Sequence, residues 1–334
     1  MTTEGKTATS SSRVGGFPTS GVRRTAATLW SSVVLASAIV VASAYGLFAA
    51  EPYRDLPAAT VLGAQAQDVC SILVAGLLVF LVRSRSISPR RHLARLGLLA
   101  YVVYSYAIYL TGVPMNRVFL VYVVIESLAG AALIDGLVRL RGPAWHRIDS
   151  RRLERGTGWM LLVVAVLFAG LWLSTLVPYA AGGAAPDPEG VGGTPYPVFV
   201  LDLVVVLPCI AGVGLMLLRG HPVGGPLAVV ALIKIVTLFT ALWAGAVAVL
   251  VTGETLHLGP DAGPSAALLV ASVWLTMRWL RALRADESTF LRTSLWSGVV
   301  PASAGGVGGA LGSAASVDDV RAGQVADRCA EDVD

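Results

Sequence analysis

Four charged side chains lie deep inside stretches of sequence that are otherwise apolar enough to cross a bilayer. The basic one is Lys234, near the middle of the stretch 223–251, which places it about 15 Å from either edge of a bilayer core about 30 Å thick. The acidic ones are Asp68, Glu126 and Asp202. An amine at this depth costs roughly 2.5–3.5 kcal/mol on insertion scales, so it needs a partner or a role. Lysine, unlike arginine, can also lose its proton when it is desolvated. The chemistry that these residues offer is therefore the binding or relay of a proton or another ion.

The depth of each acid predicts which of them meets Lys234. Asp68 and Glu126 lie about 13–15 Å from the outer edge of the membrane, close to the depth of the lysine. These two acids are therefore its expected partners. Asp202 is shallower and is expected to act as an outer gate. Pro208, which follows Asp202 in the same span, removes a helical donor and predicts a kink beside that acid.

Three further polar residues belong to the predicted transport or relay set. Gln65 shares a helical face with Asp68. Tyr104 and Tyr106 lie too deep for an interfacial aromatic belt, so their hydroxyl groups need buried partners.

The same charges have a second interpretation. A buried pair of lysine and carboxylate can simply fix the register of two helices, and such pairs are weak evidence for function or stability. Ionisable groups within a membrane nevertheless favour a functional role by default. Both interpretations remain open from the sequence.

The composition predicts a polytopic membrane protein. The 334 residues are 55% hydrophobic and 14% charged, with a mean hydropathy of +0.71. Hydropathy predicts an all-α transmembrane bundle of eight spans. The predicted spans are 26–50, 58–82, 96–112, 118–138, 158–180, 197–218, 223–251 and 265–283.

The charges of the connecting segments predict the orientation. Arginines concentrate in alternate connections, and the positive-inside rule places those connections and both termini in the cytoplasm. We therefore expect a multi-pass protein of the cell's inner (plasma) membrane. A cytoplasmic N-terminal tail (1–25) should precede the transmembrane domain (26–284), and a Gly/Ala-rich, then acidic, cytoplasmic tail (285–334) should follow it.

Several functional classes find no support in the sequence. The histidines all fall in loops or at span ends, which argues against a haem or zinc site in the membrane core; they are His92, His146, His221 and His257. We therefore expect neither a metal nor a cofactor. The absence of Ser/His and Cys/His pairs from the spans weakens an intramembrane hydrolase. The net charge of +4 is explained by loop arginines rather than by nucleic-acid binding.

Four segments carry a resemblance to a known family. They are GAQAQD (Gly63–Asp68), YVVYSYAIYLTG (Tyr101–Gly112), PVFVLDLVVVLP (Pro197–Pro208) and LIK (Leu232–Lys234). The chain resembles a family of uncharacterised bacterial multi-spanning integral membrane proteins over roughly spans two to seven. This family has no assigned activity, so the resemblance implies no catalytic role.

The sequence favours a transporter or permease for a small solute or ion, with proton coupling through the intramembrane set. The alternative is a non-catalytic membrane partner or sensor that binds other proteins through its cytoplasmic loops or tails. A membrane-embedded lipid transferase ranks last, because no metal-binding pair of acids supports it. No motif identifies an enzyme. The expected partners are the lipid bilayer, a small solute or ion, and a protein at the cytoplasmic side.

Overall fold

The structure is a computed structural model of the whole chain, and nearly all of what it describes is helical. The described residues are 22–23, 26–49, 51–54, 56, 58–83, 86–140, 150–185, 195–253 and 262–296. Most of the predicted N-terminal tail, and the C-terminal tail from residue 297, lie outside them. The prediction of an all-α protein is confirmed.

The elements follow one another along the chain as a series of long helices with short connections. The helices are α1 (Ala26–Phe48), α2 (Ala58–Val82), α3 (Pro89–Gly112), α4 (Phe119–Arg139), α5 (Arg151–Ala180), α6 (Pro195–Leu201), α7 (Leu207–Arg219), α8 (Gly224–Val251) and α9 (Ala262–Trp296). A 3₁₀ turn (Glu51–Tyr53) follows α1, and a π-helical turn (Asp202–Val206) joins α6 to α7. Two short strands, β1 (Val22–Arg23) and β2 (Ser86–Ile87), pair antiparallel.

Seven helical stretches of the described chain are long and apolar enough to cross a membrane. They are α1 to α5, the continuous stretch Pro197–Arg219 and α8. The protein is therefore a multi-pass membrane protein. Helix α9 is not among the seven, because Arg278 and Arg281 lower the hydropathy of its second half. Eight spans with both termini cytoplasmic remain a prediction.

The start of α3 lies before the predicted one. The sequence predicted a span from residue 96, whereas the helix begins at Pro89. The Ser88 side chain caps it by accepting a hydrogen bond from the Arg91 N–H, and proline is favoured at the first helical position. The hydropathy profile missed residues 89–95, because the arginines there lower the hydropathy to a value typical of a loop. The backbone of these residues is nevertheless helical.

Helix α3 lies at the centre of the bundle. Its apolar window is 67% buried, against 17% for α5. It contacts α2, α4, α6 and α8, while α8 also contacts α2 and α7. Side chains that leave α3 in different directions therefore meet different helices.

Glycines allow two pairs of helices to approach closely. A Cβ on Gly158 in α5 would lie 3.0 Å from the Gly214 carbonyl oxygen in α7, and a Cβ on Gly245 in α8 would lie 3.1 Å from the Cα of Gly63 in α2. Small residues are common where membrane helices pack, because dispersion contacts replace the hydrophobic effect there.

Helix α1 carries a stripe of small residues that the sequence indicates as a packing surface. Ala42 and Gly46 are buried and Ala38 is half-buried against the core. The stripe therefore faces other helices. Its last residue, Gly46, lies against a polar cluster described below.

Helix α9 packs into the bundle through several buried residues, among them Leu268, Leu275 and Trp279. Trp279 has no exposed surface, and its indole N–H donates to the Thr157 hydroxyl of α5 over 3.0 Å. Gly225 of α8 lies beneath the same ring. A buried indole needs an acceptor, so this bond helps to hold α9 against α5.

We predict that single cysteines at Arg91, Ala184 and Ser288 report the topology in a variant lacking Cys70, Cys209 and Cys329. A membrane-impermeant thiol reagent should label the first two positions from opposite sides. Ser288 should label from the side of Arg91 if α9 crosses the membrane, and from the side of Ala184 if it does not. Labelling of Arg91 and Ala184 from one side would contradict the alternating topology.

Candidate functional site

Lys234 lies buried in the middle of α8. Pro226 stands in the first turn of this helix, where a missing N–H costs little, and a run of apolar residues continues it to Val251. The lysine is only 7% exposed. Its Nζ lies 3.8 Å from the centroid of the Tyr104 ring of α3, a cation–π contact.

Asp202 lies at the start of the π turn. The Leu207 N–H donates to the Asp202 carbonyl five residues earlier, which defines the wider turn. Pro208 has no N–H and could not continue an α-helical pattern at this point. The distortion predicted beside Asp202 therefore takes the form of a π turn. Turns of this kind are frequent at functional sites.

Both carboxylate oxygens of Asp202 accept hydrogen bonds from neutral donors. The Tyr104 hydroxyl donates to Oδ1 over 3.0 Å, and the Trp172 indole N–H of α5 donates to Oδ2 over 2.9 Å. The acid is 8% exposed. Such charge-assisted bonds stabilise an ionised carboxylate in a site without water.

Tyr104 connects the two charges through opposite parts of one side chain. Its ring receives the Lys234 ammonium group, and its hydroxyl binds Asp202. The two charges interact electrostatically. No carboxylate oxygen of the described residues lies within ion-pair distance of the lysine Nζ. We call Lys234, Tyr104, Asp202 and Trp172 the lysine site.

Aromatic rings from three elements lie close to the lysine site. Trp172 meets Phe199 edge to face at 5.2 Å between ring centroids. Phe168 and Phe239 lie 6.0 Å apart at a tilt. These rings lower the local dielectric constant, which strengthens every electrostatic interaction inside.

The predicted partners of Lys234 are wrong. The structure places Asp202 beside the lysine, and Asp68 interacts instead with the Tyr53 and Tyr109 hydroxyls. Glu126 is half-buried on α4, and its Oε2 has no hydrogen-bond partner among the described residues. Depth alone misled the prediction, because residues at equal depth can face different neighbours around a bundle.

Asp68 is the centre of a second polar cluster on the other side of α3. The Tyr53 hydroxyl donates to Oδ2 over 2.7 Å and the Tyr109 hydroxyl to Oδ1 over 3.3 Å. Ser43 of α1 lies beside the same carboxylate. Asp68 is 2% exposed. We call Asp68, Tyr53, Tyr109 and Ser43 the aspartate cluster.

Tyr53 closes the aspartate cluster from the connection between α1 and α2. Burial and the neighbouring Asp68 charge raise the pKa of its phenol well above the ordinary value. The hydroxyl therefore remains a donor at physiological pH. Nothing in the sequence singled out Tyr53, since a tyrosine in a short connection between two spans is usually an interfacial residue.

The other predicted residues lie apart from the lysine site. The Tyr106 hydroxyl is 3.5 Å from Ser43, so both tyrosines chosen for their depth have the buried partners that were expected. Gln65 is half-buried on α2. Its neighbour Gln67 donates to the Ser105 hydroxyl over 2.6 Å.

Trp172 is the residue of the lysine site that the sequence analysis missed. Its indole N–H lies deep in an apolar span, and a buried N–H requires an acceptor. The need for an acceptor is the feature of the sequence from which Trp172 could have been identified.

Among the described residues, no group of three or more His, Cys, Asp or Glu side chains is placed to hold a metal ion.

Comparison with family models, curated proteins and solved structures finds no match to this chain. The family resemblance therefore stays a prediction, and the function must be argued from the lysine site itself.

We predict that Lys234→Met lowers the free energy of unfolding by about 3–5 kcal/mol, because it leaves the buried Asp202 charge uncompensated. Adding Asp202→Asn should recover much of this loss, whereas adding Asp68→Asn should not. Unfolding in one detergent measures all variants. Recovery by Asp68→Asn alone would contradict the assigned pairing.

We also predict that Gly46→Ala destabilises the protein by about 1–3 kcal/mol, the usual cost of overpacking. The new Cβ would overlap the Asp68 carboxylate and lie 2.7 Å from the Tyr53 hydroxyl. Gly76→Ala in α2 is the matched control, because its Cβ would meet nothing within 4 Å. Equal thermal stability of the two variants would contradict the tight aspartate cluster.

Proposed function

We propose that this multi-pass membrane protein moves a small solute or an ion across the bilayer, with the lysine site as the proton-coupled element. Helix α8 would contribute the titrating amine, and the π turn would contribute the acid. Secondary transporters place such groups near the bilayer midplane, often where a helix is irregular.

The observation that carries the proposal is how the two charges are arranged. Lys234 contacts a ring face rather than a carboxylate oxygen, and Asp202 is satisfied by Tyr104 and Trp172. A pair that served only to fix register would be expected to close directly, since a direct contact best offsets the desolvation of both ions. Here the carboxylate keeps its two hydrogen bonds whether or not the amine carries a proton.

This arrangement would allow the lysine site to exchange its proton for another cation. With Lys234 protonated and Asp202 ionised, the site is neutral. When the amine releases its proton, the site carries one negative charge in a medium of low dielectric constant, and a cation or a returning proton is then attracted to it. Release of the proton on one side and its recovery on the other would couple solute movement to a pH gradient.

The π turn is the segment of the site that we expect to move during transport. A π turn within an α-helix leaves its hydrogen bonds less uniform than those of the flanking helix, and it is a common place for a helix to rearrange. A shift of this turn between π and α geometry would carry the Asp202 carboxylate relative to Tyr104. Such a step would open or close the site without rebuilding the bundle.

The alternative is a non-catalytic membrane partner or sensor in which the charges are structural. One observation favours it: Asp202 binds side chains from both α3 and α5, so the acid pins three elements together. In that case the cytoplasmic loops and tails would bind other proteins. The proposed location in either case is the inner (plasma) membrane, supported by the distribution of loop arginines.

We predict that the protein, reconstituted in liposomes on a solid-supported membrane, gives charge movements when pulsed with a solute from a panel of amino acids, organic cations, organic anions and inorganic ions. These signals should depend on an imposed pH gradient. Lys234→Arg should fold but should not give signals that depend on the pH gradient, because arginine keeps the charge but does not release its proton.

Asp135→Asn is the matched control for Asp202→Asn. Asp135 is an exposed acid of α4 whose ion pair, within the described part of the chain, is with Arg139 of the same helix, so its loss should leave the signals unchanged. Normal signals from Lys234→Arg would exclude proton coupling through the lysine. If no solute of the panel produced a charge movement and a second protein co-purified in stoichiometric amount, the alternative function as a membrane partner or sensor would be supported instead.

A further inference from the structure

Arg95, near the start of α3, is a buried cation without a direct partner among the described residues. It is 6% exposed. Within that part of the chain its Nε has no hydrogen-bond partner, and no carboxylate lies within ion-pair distance of its guanidinium group. A buried charge that is neither paired nor hydrogen-bonded is rare, because its desolvation is uncompensated.

Asp135, the acid that acts electrostatically on Arg95, is already paired with another arginine. Both oxygens of Asp135 accept bonds of 2.9 Å from Arg139, one turn further along α4. Asp135 and Arg139 act on Arg95 only through longer-range electrostatic interactions of opposite sign. The Asp135–Arg139 pair is therefore close to neutral overall and does not offset the Arg95 charge.

His92 is another polar side chain near Arg95, and its contact is with an uncharged backbone carbonyl. The His92 Nε2 lies 3.3 Å from the Gly136 carbonyl oxygen, which links α3 to α4 one turn before Arg95. The described side chains that bound this region are Arg95, His92 and the Asp135–Arg139 pair, and with a neutral His92 their charges sum to about +1. A single negative charge would balance it.

We propose that Arg95 forms the base of a binding site for a phosphate-type monoanion between the ends of α3 and α4. A guanidinium group offers planar, bidentate hydrogen bonding that matches phosphate oxygens. Binding converts an uncompensated buried charge into a paired one. This site is independent of the proposed transport function, since it shares no residue with the lysine site.

The depth of Arg95 fits an anion that arrives from the membrane surface. The residue lies about 9 Å along α3 from Pro89, which places it near the boundary between lipid headgroups and acyl chains. Basic pockets between membrane helices at this level recognise anionic lipid headgroups. The phosphate can come from such a headgroup or from a free solute.

The test measures thermal unfolding of the full chain in nanodiscs with two separate additions. One arm replaces phosphatidylcholine stepwise by phosphatidylglycerol. The other keeps phosphatidylcholine and adds inorganic phosphate against chloride at equal ionic strength. Ligand binding to the folded state raises the unfolding temperature in a saturable way. A response in the first arm alone identifies the headgroup, and a response in the second identifies a free phosphate.

Arg95→Met and Arg91→Met are the matched variants, because Arg91 is an exposed arginine of the same helix end. Arg91→Met should respond as the wild type does. Arg95→Met should lose the response and, in pure phosphatidylcholine, should unfold at the wild-type temperature or above, since it removes an uncompensated charge. The order of wild type and Arg95→Met should reverse when the anion is present.

Arg95→Lys keeps the proposal testable if the methionine variant does not fold. It should bind about tenfold more weakly, the loss expected for one charge-assisted hydrogen bond, whereas Arg91→Lys should bind normally. An unchanged response of Arg95→Met or Arg95→Lys, an equal loss in the Arg91 variants, or no wild-type response in either arm would overturn the proposal.

Discussion

A positive charge held in an apolar medium is the constraint on which this structure depends. Water is absent from the bilayer core, so the Lys234 ammonium group must find its compensation in other side chains. Tyr104 and Asp202 provide it, and each comes from a different element. The need to bring them together fixes how α3, α8 and the π turn lie relative to one another.

Helix α3 serves two polar centres through opposite faces. Tyr104 points to the lysine site, while Tyr109, about 140° further round at 3.6 residues per turn, binds Asp68. This explains why α3 is the most buried of the seven spans. A helix with polar groups on both faces must be enclosed by protein, because lipid could satisfy neither face.

Glycines in the helices allow neighbouring helices to approach closely, which leaves room for hydrogen bonds between their side chains. Gly46 leaves the space that the Asp68 carboxylate and the Tyr53 hydroxyl occupy. The Gly158–Gly214 contact brings α5 against α7, and Trp172 reaches Asp202 about 21 Å further along α5. Around Gly46 the missing side chain leaves room for the hydrogen bond between Tyr53 and Asp68, so packing and electrostatics are set together there.

The sequence by itself determined the helical class, the multi-pass character of the chain, and the requirement that Lys234, Asp202, Tyr104 and Tyr106 be buried with partners. Those properties depend on local composition and depth, which hydropathy and helical rise report directly. Only the tertiary structure decided that Lys234 meets Asp202 rather than Asp68 or Glu126, and that Trp172 and Tyr53 complete two separate centres. The order of helices around a bundle is not encoded in the depth of any residue, because side-chain packing between distant segments sets it.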